Sequence, residues 1–166
     1  RDLEIGALVC DALPNIDWVM PFGTTQDTPK HASFLYDFEA CVSNTSLPVM
    51  FLSEGAEDTL FIQQMAAACV GGKEKLREKP FLMAYPEPIT PLFFPDEVVA
   101  RAFLAADWGI PQCQGTTQII GATSPVTLAG AIVLWLAEAL MNITVLQLYL
   151  PGSKVFLSGN FGLFDM

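Results

Sequence analysis

The stretch "GATSPVTLAGAIVLWLAEALMNITVLQLYL" (residues 121–150) admits two structures. From Val126 to Leu150 its only charge is Glu138, and an apolar helix of this length crosses a hydrocarbon layer of about 30 Å. Against a span stand Glu138, Asn142, Thr144 and Gln147, polar side chains that are costly in lipid. No Lys or Arg flanks the amino end and Lys154 alone follows the carboxyl end, so the charge bias that orients a span is missing. Small residues at Ala129, Gly130, Ala131 and Ala137 suit close packing on a sheet. The expectation is a buried helix; the alternative is a membrane protein anchored by 126–150. Its start is expected where Gly121 permits a turn, Thr123 or Ser124 caps the helix, and Pro125 sits in the first turn without needing its N–H.

The rest of the chain sets that helix in a rhythm. Five short apolar segments, each bounded by Pro, Gly or polar turns, read as strands: 16–22, 48–54, 80–87, 110–116 and 154–160. They lack polar/apolar alternation, which suits parallel strands covered on both faces. Between them lie helical stretches. Phe34, Phe38 and Val42 form one apolar stripe. In 57–79, Leu60, Met65, Ala68 and Cys69 are expected to face a core before Gly71-Gly72 interrupts, with a charged tail after it. "PDEVVARAFLAADWG" has Pro95 and acidic residues at its start and Gly109 at its end. Successive strands begin roughly 30 residues apart, the spacing of βαβ units, with a longer last interval.

Two α/β architectures fit: an open doubly wound sheet, or part of a (β/α)8 TIM barrel with about five βα units of parallel strands. No GxGxxG follows the first strand, and "PFGTTQD" offers no phosphate cradle. The carboxyl ends of the expected strands are polar or aromatic, where barrel enzymes place their chemistry. The barrel segment is therefore preferred. The chain starts at Arg1 and stops at "GLFDM", and 1–166 is read as a single domain excerpted from a longer protein.

Composition narrows the partners. Eighteen acidic against eight basic residues give a net charge of −10, which repels nucleic acid and anionic membrane faces. Cys10, Cys41, Cys69 and Cys113 are scattered without CxxC spacing, and His31 is the single histidine. No metal site and no Ser/His/Asp arrangement is expected, and the cysteines read as thiols in a reducing, cytoplasmic setting. The sequons at Asn44 and Asn142 read as chance matches.

"GATSPVTLAG" (121–130), Ala137-Glu138-Ala139-Leu140, Gln147-Leu148, Pro151-Gly152 and Asp165-Met166 together resemble the trimethylamine methyltransferase family, which includes glycine betaine methyltransferases. Upstream, "VGGKEKLREKPF" and "EPITPL" are similar to further stretches of that family, so the resemblance covers most of the chain. It implies a TIM barrel that moves a methyl group from a quaternary or tertiary amine to the Co(I) corrinoid of a separate carrier protein, with no cofactor bound by this chain itself. Cobalt would be the nucleophile, which leaves catalytic residues of this chain unassigned. Some members carry pyrrolysine, at a position that would lie beyond Met166.

A quaternary ammonium has no N–H to donate, so its recognition falls to aromatic faces and carboxylates. The resemblance therefore directs attention to Phe22, Tyr85 and Phe94 as an aromatic wall and to Glu54 and Glu87 as carboxylates facing the cation. Gln114, Thr117 and Gln118 are expected to supply hydrogen bonds, and Gly121, Thr123 and Ser124 a corrinoid-facing loop with exposed N–H groups. Glu138 is expected to be structural. A non-catalytic barrel that binds quaternary amines is a further alternative, and homo-oligomerisation is left open.

Overall fold

The computed structural model describes residues 1–165. Met166, which closes the Asp-Met pair of the resemblance, lies outside the described residues. Helix α1 (Asp2–Asp11) opens the chain, with Asp2 and Glu4 in its first turn and Leu3 and Ala7 buried. A 3-10 turn at Lys30–Ala32 leads into α2 (Ser33–Val42) and then β1 (Val49–Phe51). Next come α3 (Ala56–Val70), α4 (Lys73–Glu78), β2 (Leu82–Ala84) and α5 (Asp96–Asp107). Strands β3 (Gln112–Gln114) and β4 (Thr117–Ile120) precede α6 (Leu128–Tyr149), and β5 (Val155–Leu157) and β6 (Asn160–Leu163) follow it.

The class is α/β with parallel strands. One sheet runs β1-β2-β3-β5 and a second pairs β4 with β6, all in parallel. Strand order follows chain order without reversal. The two sheets continue one another: Gln112 to Gln114 pair with Val155 to Leu157, and Thr117 to Ile120 pair with Asn160 to Leu163 in the same offset. Across the break Ser158 N donates to the Gln114 carbonyl at 3.0 Å. At the break the two strands come unusually close. A Cβ on Gly115 would stand 1.7 Å from the Ser158 carbonyl oxygen, so only glycine lets the strands approach there. The Trp135 indole N–H donates to that same carbonyl at 2.7 Å, and its ring occupies the space a Cβ on Gly159 would need.

Phe38, Val49, Phe51, Ile62, Ala66, Leu76, Leu82, Ala105 and Ile110 form the main core between helices and sheet. Several sequence expectations change here. Residues 16–22 do not form a strand: Val19 alone bridges to Val49, donating to Pro48 O and accepting from Met50 N. Pro21, inside that segment, stands where the next N–H of a parallel ladder would donate, so the pairing does not extend past Val19. Helix α1 was not anticipated, because its apolar residues form no clear stripe. The supposed charged tail after Gly72 is α4, and its Leu76 is fully buried in the core. On α3 the buried face is Thr59, Ile62, Gln63, Ala66 and Ala67, whereas Ala68 and Cys69 are exposed. Apolar residues surround that helix, so spacing alone does not set its phase.

Helix α6 begins at Leu128, three residues after Pro125. Its cap is Thr127, whose Oγ1 accepts from Gly130 N at 3.1 Å, not Thr123 or Ser124. Those two belong to a turn closed on its own strand. Ala122, Thr123 and Ser124 N–H all donate to Ile119 O, Gly121 N donates to Ser124 O, and Thr123 Oγ1 accepts from Ile119 N. The loop's backbone donors are therefore engaged, contrary to the expectation of free N–H groups. Length and hydropathy alone would let α6 cross a membrane, and only 22% of its most apolar window is buried. The expected buried helix is buried along one side only. One stripe, Ala131, Glu138, Ala139, Asn142 and Leu146, is buried, while Val133, Leu136, Leu140, Met141 and Leu148 are exposed.

Candidate functional site

Alternation along the strands sorts the polar residues of the sheet onto two faces. On β2 and its extension, Leu82, Ala84 and Pro86 are buried, and Met83, Tyr85 and Glu87 are half-buried on the other side. On β3 and β4, Gln112, Gln114, Thr116 and Gln118 are all fully buried on the side of α5 and α6. Gln112 donates to Ala102 O at 2.8 Å, and Asn142 donates to the Gln114 side-chain oxygen. Cys113, Gly115 and Thr117 take the opposite face, that of Tyr85 and Glu87.

Four of these residues converge. Glu87 Oε1 accepts from Thr117 N at 2.9 Å and from Thr117 Oγ1 at 2.8 Å. Burial raises the Tyr85 phenol well above its usual range, and the Glu87 carboxylate adds to the rise. Burial also pushes the Cys113 thiol up to about 11, opposed by a hydrogen bond with Ser158 and reinforced by Glu87. A half-buried carboxylate, a neutral phenol and a hydroxyl therefore share one face, just past the end of β2 and at the start of β4. No lysine or arginine lies within ion-pair distance of Glu87 among the described residues.

The other expected residues are dispersed. Gln114 and Gln118 point to α6, because a period of two separates them from Thr117. Glu54 is exposed beside a cleft of about 440 Å³ lined by Thr24, Gln26, Lys30 and Phe34, and its backbone N–H is held by Asp58. Phe22 packs its ring over Gly6 of α1 and borders a different cleft of about 600 Å³. Phe94 is half-buried just before α5, and Gly121 lies in the left-handed region at φ +87°.

Two further residues gain importance: Arg101, which the sequence concealed, and Glu138, whose partners it concealed. Arg101 is the only base on α5, and it donates from Nη1 to Ser53 O. Burial lowers its pKa, while Glu97, Asp58, Glu54 and Glu87 oppose the change in that order, so this half-buried cation lies in the field of both candidate carboxylates. Its isolation on an otherwise acidic and apolar helix was the available signal. Glu138 is fully buried and takes four donors: Leu92 N (2.7 Å), Thr90 Oγ1 (3.0 Å), Thr116 Oγ1 (2.5 Å) and Gln118 Nε2 (2.7 Å).

The cysteines give an independent check of this packing. Thiolate is the reactive form, and a thiol held to about 11 is ionised in about one part in a thousand at pH 8. Cys113 and Cys41, both pushed up to about 11 mainly by burial, are expected to resist alkylation in the native protein. Cys69 is exposed and should react first. Mass mapping of sites alkylated at pH 8 tests this; early labelling of Cys113 would contradict the placement of the Tyr85–Glu87 face.

The family model described as "Trimethylamine methyltransferase (MTTB)" matches residues 8–166. A trimethylamine methyltransferase of Desulfitobacterium hafniense is 31% identical over 166 residues, covering 100% of this chain and 34% of the relative. A glycine betaine methyltransferase of the same species is 29% identical over 141 residues, or 85% of this chain and 29% of the relative. A trimethylamine methyltransferase of Methanosarcina acetivorans is 27% identical over 168 residues, covering 100% and 34%. The chain thus spans about a third of the length of the curated relatives it matches. With a family match over nearly every residue, the chain belongs to the trimethylamine methyltransferase family.

Proposed function

We propose that this chain contributes the Glu87 face of a (β/α)8 TIM barrel that moves a methyl group from a quaternary or tertiary amine to the Co(I) corrinoid of a separate carrier protein. The family match carries the methyl-transfer reading, with relatives named for trimethylamine and glycine betaine. Strand order supports the barrel, since parallel strands laid down in chain order without reversal are what successive βα units of a barrel produce. In the same reading, further βα units cover the exposed apolar face of α6 and the open edge at β5 and β6. Neutral thiols and a strongly reduced Co(I) partner both suit the cytoplasm.

The chemistry asked of the chain is binding and orientation. Transfer of the methyl group to Co(I) would leave the C–N electron pair on nitrogen, so a quaternary amine would leave as a neutral tertiary one, and a tertiary amine, bound as its protonated ammonium, as a neutral secondary one. Positive charge on nitrogen therefore falls as the bond breaks. A carboxylate beside it is worth most in the bound substrate and less in the transition state. Glu87 accordingly captures and orients the cation, and Tyr85 offers an aromatic face whose phenol stays neutral. Thr117 fixes the carboxylate by two hydrogen bonds, which lowers the entropy lost on binding. In the same reading the turn at 121–124 faces the carrier from the rim, and its backbone donors are already spent on its own structure.

Calorimetry on the whole protein tests the binding half of this account. Trimethylamine or glycine betaine should bind, and a neutral analogue with carbon in place of nitrogen should bind at least about tenfold more weakly. Equal binding of charged and neutral forms would remove the carboxylate from the site. Binding without demethylation would favour the non-catalytic barrel. The exposed apolar face of α6 favours the membrane alternative, which recovery of the whole protein in the soluble fraction would eliminate.

A further inference from the structure

Glu138 joins two strand ends that carry the two halves of the candidate site. It lies at the middle of α6 and is fully buried, yet no base pairs with it among the described residues. Its four donors come from two places. Thr116 and Gln118 flank Thr117 on the strand, and Thr90 and Leu92 follow Glu87 by a few residues in the loop between β2 and α5. Thr117 and Glu87 are themselves hydrogen-bonded on the opposite face. One carboxylate therefore holds the neighbours of both partners.

The loop is arranged to need that hold. Ile89 and Phe93 exchange backbone hydrogen bonds at 2.9 and 3.0 Å, closing a tight bend around Leu92. Leu92 sits at φ +56°, a left-handed conformation that a leucine rarely adopts. Its N–H is the donor that Glu138 Oε1 receives. Such strain persists only where the surroundings over-determine it. The bend is otherwise poorly anchored, for Ile89, Leu92 and Phe93 are all exposed.

We propose that Glu138 is a positioning residue: from behind the sheet it clamps the β2–α5 loop to β4, and so fixes Glu87 against Thr117. The proposal rests on the reading of Glu87 as the amine carboxylate only for its effect on activity; the clamp itself is a statement about structure.

Two variants of the whole protein test it. Thr90→Val removes the loop hydroxyl's contacts with both Glu138 and Gln118 and leaves the contacts between α6 and the strand. Glu138→Gln keeps the shape but replaces an acceptor oxygen with a donor facing Thr116 and Gln118. Hydrogen exchange followed by mass spectrometry should accelerate about tenfold or more in peptides covering 88–94 for both variants, with peptides from α2 and β1 unchanged. Unchanged exchange at 88–94 in Thr90→Val would overturn the clamp, and so would acceleration spread evenly over the molecule. Steady-state kinetics with the amine separate the two claims. Loss of positioning is expected to raise KM about tenfold with a smaller change in kcat. Local acceleration with KM unmoved would leave the clamp standing and sink the assignment of Glu87 to the amine.

Discussion

Gly115→Ala is expected to cost the protein about 3 kcal/mol or more and to break the pairing of β3 with β5. The added methyl would meet the Ser158 carbonyl oxygen at 1.7 Å and its carbon at 2.7 Å. These are backbone atoms, so no rotamer change relieves the clash. Ser158 cannot retreat easily, because its N–H donates to Gln114 O and its carbonyl accepts from Trp135. The strands must part instead, carrying Thr117 away from Glu87. Gly23→Ala is the natural control: a Cβ there meets nothing within 4 Å, and its effect should stay within about 0.5 kcal/mol. Denaturant unfolding of both variants measures the difference. Equal stabilities would mean that β3 and β5 do not approach as described.

Glu87→Gln is expected to weaken amine binding about 30-fold or more, the scale of removing one partner of a desolvated charge pair. Because charge on nitrogen declines as the methyl group leaves, the loss should appear chiefly in KM, with kcat changed less. The glutamine oxygen can still accept from Thr117, so the local fold should survive and the variant should keep the wild-type unfolding curve. A fall in kcat with KM unchanged would instead indicate that Glu87 acts in the transition state. Thr117→Val would show the same pattern more weakly, since it loses one of the two hydrogen bonds that orient the carboxylate.

What the sequence disclosed, and what it withheld, follows from the range of the signals. Strands at 48–54, 80–87 and 110–116 were readable because a few β-branched or bulky residues lie between prolines, glycines and polar turns, all local features. The helix after Pro95 was readable for the same reason. The segment 16–22 looked similar in composition, but its edge position leaves it with one bridge at Val19. The break between β3 and β4 was not readable, since Gly115 is explained by Ser158, a residue far along the chain that contacts it only in the fold. Glu87 and Tyr85 were singled out through their place at a strand end, and the fold puts both on one face of the sheet. Gln114 and Gln118 were misgrouped with Thr117 because proximity in sequence hides the alternation of faces. Glu138 was recognised as structural, yet its four partners lie between 20 and 48 residues away, beyond any local pattern. Arg101 was passed over because a single base on a helix surface ordinarily marks nothing.

The measurement that bears most directly on the proposed activity is optical. The whole protein, mixed with its corrinoid carrier held in the Co(I) state, is given trimethylamine, glycine betaine and related tertiary and quaternary amines in turn. At least one amine should convert the Co(I) spectrum to that of methyl-cobalt, with stoichiometric release of the demethylated amine, and Glu87→Gln should require a much higher amine concentration for the same conversion. A Co(I) spectrum unchanged by every tertiary and quaternary amine, under conditions where the protein remains folded, would contradict methyl transfer by this protein.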